Sequence, residues 1–178
     1  MHDDHDVITH PRGQAPPTAS WLEEAASRGT KPGGEEGAEE EACPAFGYLR
    51  GIRDRALAVE FRFRTGNSEW FPYSLLGPWR YNPSVGILLK FSCGDSVSLV
   101  LIRGSNLDAL VNGSINLTDR GLQRHRIAFV REMDEAELRR AGKGEPTIDK
   151  IEVAECESCQ ALEEWLKKKA PVFVRKPV

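Results

Sequence analysis

From Leu57 the chain alternates. In "LAVEFRFR", Leu57, Val59, Phe61 and Phe63 take one side, while Ala58, Glu60, Arg62 and Arg64 take the other. A period of two is that of a strand with one buried face and one charged face. "TGNS" follows as a tight turn. "EWFPY" predicts a short second strand, and Pro72, which has no N–H to donate to a ladder, puts it at an edge or a bulge. "GILLKF" sets Ile87, Leu89 and Phe91 on one face, and "SCGDS" closes a hairpin around Gly94 and Asp95. "VSLVLIR" is the most apolar run, as a central strand requires. "HRIAFVRE" predicts a strand with Ile127 and Phe129 inward, and "TIDKIEVAE" an exposed edge strand.

Helical signals come late. "GSNLDALVNG" predicts a short helix capped by Ser105 or Asn106 and ended by Asn112-Gly113. "LTDRGLQ" predicts a further helical turn capped by Thr118 or Asp119. "DEAELRRAG" predicts a helix that Gly142 stops. The last helix is expected from about Ser158 to Lys169, closed by Pro171. The expected fold is therefore α+β: a small bent antiparallel sheet or barrel of five to six strands, with short helices at the C-terminal side.

Composition divides the 178 residues in two. Residues 1–44 hold three Lys/Arg against ten Asp/Glu and are rich in Pro, Gly and Glu. Such a segment buries too little apolar surface to offset its ordering entropy, so a disordered acidic arm is expected, with one short helix at "ASWLEEAAS". A single globular domain is expected over 45–178. Within 45–131 stand twelve basic residues, all arginine except Lys90, against six acids. The start "MHDDHD" is acidic where a signal peptide is basic, and no apolar run reaches the ~18 residues of a membrane span. A cytoplasmic protein without a membrane partner is expected.

Candidate chemistry is sparse. Cys156 and Cys159 form a lone C-x-x-C with no second pair; placed on one helical face with Leu162 and Leu166, they read as packing rather than as a metal or redox site. His2, His5 and His10 among aspartates read as a solvated cluster. No nucleophile, base and orienter can be assembled, so no catalytic residue, metal or cofactor is expected.

Three stretches remain. "WFPYSLLGPWRYNPSVG" carries Trp70, Tyr73, Trp79 and Tyr81. These cap a small core, or, flanked by Arg62, Arg64 and Arg80, they form a platform for bases and phosphates. "DRGLQRHRIAFVR" is the most basic stretch, with Arg120, Arg124, His125, Arg126 and Arg131. It suits an anionic partner, or the chain's own "EEGAEEE" segment folded back on it. "LIRGSNLDAL" has the strand–turn–helix order that can hold a phosphate on free N–H groups, but it lacks the glycines and lysine of a P-loop.

The runs "WFPYSLLGPWRYNPSVGILLKF", "LVLIRGSNLDAL" and "LTDRGLQRHRI", spanning about residues 55–132, resemble a group of uncharacterised bacterial proteins. The strand-rich order also resembles small SH3- or Sm-like barrels. Neither resemblance implies an activity. The expectation is a non-catalytic module binding a protein partner or a second copy of itself. Nucleic acid is the alternative partner, and a third reading is a small-ligand binder or enzyme with a pocket at Trp79, Arg80 and His125.

Overall fold

A computed structural model describes residues 40–174. Most of the acidic segment, its expected short helix and the three histidines of "MHDDHDVITH" lie outside them. Among the described residues nine strands form: β1 (Glu40–Ala42), β2 (Phe46–Leu49), β3 (Ala58–Arg62), β4 (Ser68–Pro72), β5 (Arg80–Asn82), β6 (Gly86–Cys93), β7 (Ser96–Ser105), β8 (Ile127–Arg131) and β9 (Thr147–Cys156). Two helices follow β8 and β9, α1 (Glu135–Arg140) and α2 (Cys159–Lys169). No helix here is long and apolar enough to cross a membrane.

The strands make two sheets, ordered β1-β2-β8-β3-β4 and β5-β6-β7-β9. Neither closes into a barrel, so the expected single bent sheet or SH3/Sm-like barrel gives way to two stacked sheets, still α+β in class. All neighbours are antiparallel except β3 and β8, which run parallel with Glu60 opposite Phe129. Hairpin patterns are local and readable; a parallel neighbour far along the chain leaves no local mark.

The core lies between the sheets. Phe46, Tyr48, Val59, Phe61 and Val130 face Ile87, Leu89, Phe91, Val100 and Ile102. Phe61 and Phe91 join through Phe71, with ring centroids 5.7 and 4.6 Å from it. The opposite face of the second sheet is also covered. Leu88, Leu99 and Leu101 pack under Leu166, Ala170 and Phe173 of the C-terminal segment. That double burial is why "GILLKF" and "VSLVLIR" are apolar at successive positions. Ser158 caps α2 by accepting from the Ala161 N–H, and the Asp134–Glu137 capping box starts α1.

Two bulges reset the alternation. Tyr48 pairs Ile127 while Gly47 pairs Phe129, so the extra residue Ala128 leaves Ile127 in the core and turns Phe129 to the outer face of the first sheet. Phe129 was expected inward. It lies over Gly47, where any Cβ would stand 2.2 Å from the ring. A second irregularity at Gly104 lets Ile148 and Ile151, of opposite parity, both reach the core. The helix expected over "GSNLDALVNG" does not form. Asn106 is left-handed at φ 54°, outside the extended range of an N-cap, and its side chain donates to the Glu145 carbonyl instead. The segment is an irregular loop pinned by buried Leu107, Ile115 and Leu117.

Candidate functional site

The aromatic stretch proves to be the crossing between the sheets. β4 belongs to the first and β5 to the second. Its rings disperse accordingly. Trp70 sits on the edge strand β4, 64% exposed. Tyr73 is buried, donates to the Ile127 carbonyl at 2.9 Å and stacks on His125 at 4.5 Å. Burial pushes its hydroxyl pKa up. Trp79 and Arg80 line a groove of about 530 Å³ against α2, where Arg80 donates to the Phe173 carbonyl. Tyr81 is pushed up to about 12 by desolvation, with Asp108 adding to the effect. His125 does not line the groove of Trp79 and Arg80. The structure therefore does not assemble the expected pocket of Trp79, Arg80 and His125, nor a single aromatic platform.

Arg62 and Arg64 do share a cleft, of about 590 Å³, with Arg131. Its lining also holds Glu60, Glu132, Asp134 and Glu137. Arg62 lies 2.7 Å from Glu60 and 3.7 Å above the Phe129 ring. Arg131 lies 2.8 Å from Glu137. Glu132 is buried, accepts from the backbone N–H of Arg64 at 2.9 Å and of Ile151 at 2.7 Å, and lies 3.8 Å from the Arg64 side chain. The cations are matched by carboxylates, and Glu132 ties one sheet to the other.

The basic stretch behaves differently. Arg120, Arg124 and Arg126 converge with Arg50, Ile52, Gly113 and Ser114 on a cleft of about 610 Å³ whose lining contains no acid. Arg126 is only 5% exposed. Its Nε and Nη2 donate to the Leu49 carbonyl at 3.2 and 2.9 Å, and Nη2 also to the Arg50 carbonyl at 3.0 Å. No carboxylate lies within ion-pair distance of Arg120, Arg124 or Arg126 among the described residues. Nη1 of Arg126 has no bonding partner there, and no fully buried side-chain nitrogen lacks one, so Nη1 keeps some contact with solvent. Arg50 is paired with Glu41 at 3.4 Å.

The loop is built to hold this geometry. A 3-10 turn at Leu122–Arg124 ends at His125, left-handed at φ 55°, and the Arg126 N–H returns to the Gly121 carbonyl. A Cβ on Gly121 would meet the Asn116 carbonyl at 2.3 Å. Buried Asn116 donates to Asp119 at 2.7 Å and accepts from the Arg120 N–H at 3.0 Å. That bond, first among the causes, holds the Asp119 carboxyl below the usual range. Arg50 was missed from sequence. "LRGIRDR" carries three arginines in six residues and was the available signal, but nothing local links it to a stretch seventy positions on.

The other candidates separate. Cys156 ends β9 and is buried, while Cys159 opens α2 and is exposed, so they do not share a helical face. Without a helix after β7, "LIRGSNLDAL" presents no helix N-terminus to a phosphate. Comparison with known proteins returned no match: no protein family, curated protein or solved structure is similar to the chain at a significant level. The resemblance over about 55–132 therefore gains no support from them.

Proposed function

We propose that this chain is a non-catalytic binding module that holds an anionic segment of a protein partner in the cleft of Arg50, Arg120, Arg124 and Arg126. The observation that carries the reading is Arg126, a residue only 5% exposed whose guanidinium donates to backbone carbonyls and has no counter-charge among the described residues. An ion taken from water costs several kcal/mol unless a partner neutralises it. A site that keeps this cost in the described structure is arranged for an anion that arrives from outside.

A protein segment fits better than a nucleic acid. Binders of single strands pair arginines with aromatic faces, and no Trp, Tyr or Phe lines this cleft. Its apolar neighbour is Ile52, 74% exposed, which suits an aliphatic side chain of a peptide.

The test is fluorescence anisotropy of a labelled polyglutamate peptide and a labelled single-stranded RNA with the full chain, at low and moderate salt. Salt-sensitive peptide binding that Arg124→Ser weakens supports the reading. A clear preference for RNA reassigns the partner, and no binding of either at low salt overturns the proposal.

A further inference from the structure

Resting on that reading, the cleft's charge and geometry narrow the ligand further. We infer that the cleft is a phosphate site, and that the group it takes is a phosphate monoester on a serine or threonine of the partner segment.

Three cations face this space without an acid in its lining, and Arg50 stands beside them in its pair with Glu41. One carboxylate carries a single charge and two oxygens in one plane, so it can satisfy one guanidinium fork. A phosphate monoester carries about −1.5 to −2 at neutral pH and presents three strong acceptor oxygens in different directions. The arginines here come from different segments of the chain. Arg120 precedes the 3-10 turn and Arg124 ends it, Arg126 is buried just before β8, and Arg50, paired with Glu41, follows β2.

Part of the site is held in place before any ligand arrives. Two backbone carbonyls hold Arg126, and the Arg120 Nη1 reaches the Ser114 carbonyl at 3.4 Å. Pre-set arginine forks recognise phosphate with little ordering cost. Arg124 makes no side-chain bond among the described residues and is exposed, which leaves it free to close on the bound group. Asp119 lies near enough to Arg120 to feel its charge, but it does not line the cleft, and its Oδ1 accepts from Asn116 and Thr118.

The experiment uses the full chain and three degenerate peptide pools identical except at one central position: phosphoserine, serine or glutamate. Binding is read by anisotropy, with polyglutamate, a 5′-phosphorylated oligonucleotide and phosphoinositide-containing vesicles as further arms. Phosphoserine peptides are expected to bind at least tenfold tighter than the glutamate pool. That preference should be lost in Arg124→Ser, an exposed position, and in Arg126→Lys, provided circular dichroism shows the fold intact. Equal binding of the glutamate pool overturns the phosphate assignment and leaves the acidic-segment reading standing. Failure of every anion overturns both. Tighter binding of the oligonucleotide or the vesicles overturns the assignment to a protein-borne phosphate.

Discussion

The cleft beside β3 gathers Arg62, Arg64 and Arg131 among four acids, whereas the cleft at the start of β8 gathers Arg120, Arg124 and Arg126 with no acid in its lining, beside Arg50 in its pair with Glu41. In the first, arginine is a structural residue: it closes on Glu60, Glu137 and Glu132 and lies over Phe129. In the second, Arg126 and Arg120 are held by backbone carbonyls, and neither they nor Arg124 has a carboxylate within ion-pair distance among the described residues. The same residue type at similar density along the chain has two roles. What separates them is the company that tertiary packing brings.

The largest effect that tests this contrast is at Glu132. Glu132→Ala removes the acceptor of two backbone N–H groups and the buried partner of Arg64 and Lys150. Arg64 and Lys150 are half-exposed and lose little, but each backbone N–H left without its acceptor costs about 1–3 kcal/mol, to be read as a lower urea midpoint. A loss below ~1 kcal/mol would show that the first cleft does not depend on its acids. Next, Arg124→Glu should weaken anion binding at least ~tenfold, about 1.4 kcal/mol, with the melting temperature unchanged. Arg64→Ser should leave that affinity within ~twofold, and equal losses at both positions would erase the distinction between the clefts.

A smaller change is expected from Arg62→Ala, which strips Glu60 of its partner and Phe129 of its cation for about 1–2 kcal/mol in denaturant unfolding. The smallest is the acid limb of stability. Arg62 holds the Glu60 carboxyl below its usual 4.5, and Arg131 does the same for Glu137. Because the folded-state pKa values are depressed, these groups stabilise the fold above about pH 4.5, and that part is lost as pH falls through the folded values. Glu60→Gln should flatten the limb slightly in urea midpoints measured from pH 6 down to 3. An unchanged slope would deny the pairing its share.

Strict alternation was readable where it governs packing. Val59 and Phe61, then Ile87, Leu89 and Phe91, face the core as their spacing requires, and Pro72 does end an edge strand. Phe129 and the pair Ile148 and Ile151 were not readable, because a bulge shifts parity by one residue and depends on the neighbouring strand. Asn106 and Asn112 resemble a helix cap and stop in one dimension, yet both adopt left-handed turns once Leu107 and Ile115 are anchored. At the candidate site, Arg120, Arg124 and Arg126 stand out as a basic run. Arg50, and the lack of a counter-charge at Arg126, belong to three dimensions.

The parallel pairing of β3 with β8 also orders events in time. β6 and β7 are joined by a two-residue turn and can zip as soon as both are made, with β9 added later. The first sheet has such hairpins only at its two sides, β1 with β2 and β3 with β4. β2 and β3 each find their central neighbour only in β8, which is translated after the whole of β7. On a ribosome, the segment from Glu40 to Pro72 therefore emerges with half its ladder unfilled and must wait for Ile127–Arg131 to arrive. Assembly of the arginine cleft is tied to the same step, since Arg126 enters the fold with β8. If the cleft binds anions as proposed, the nascent chain should gain that affinity late, when that last central strand slots in.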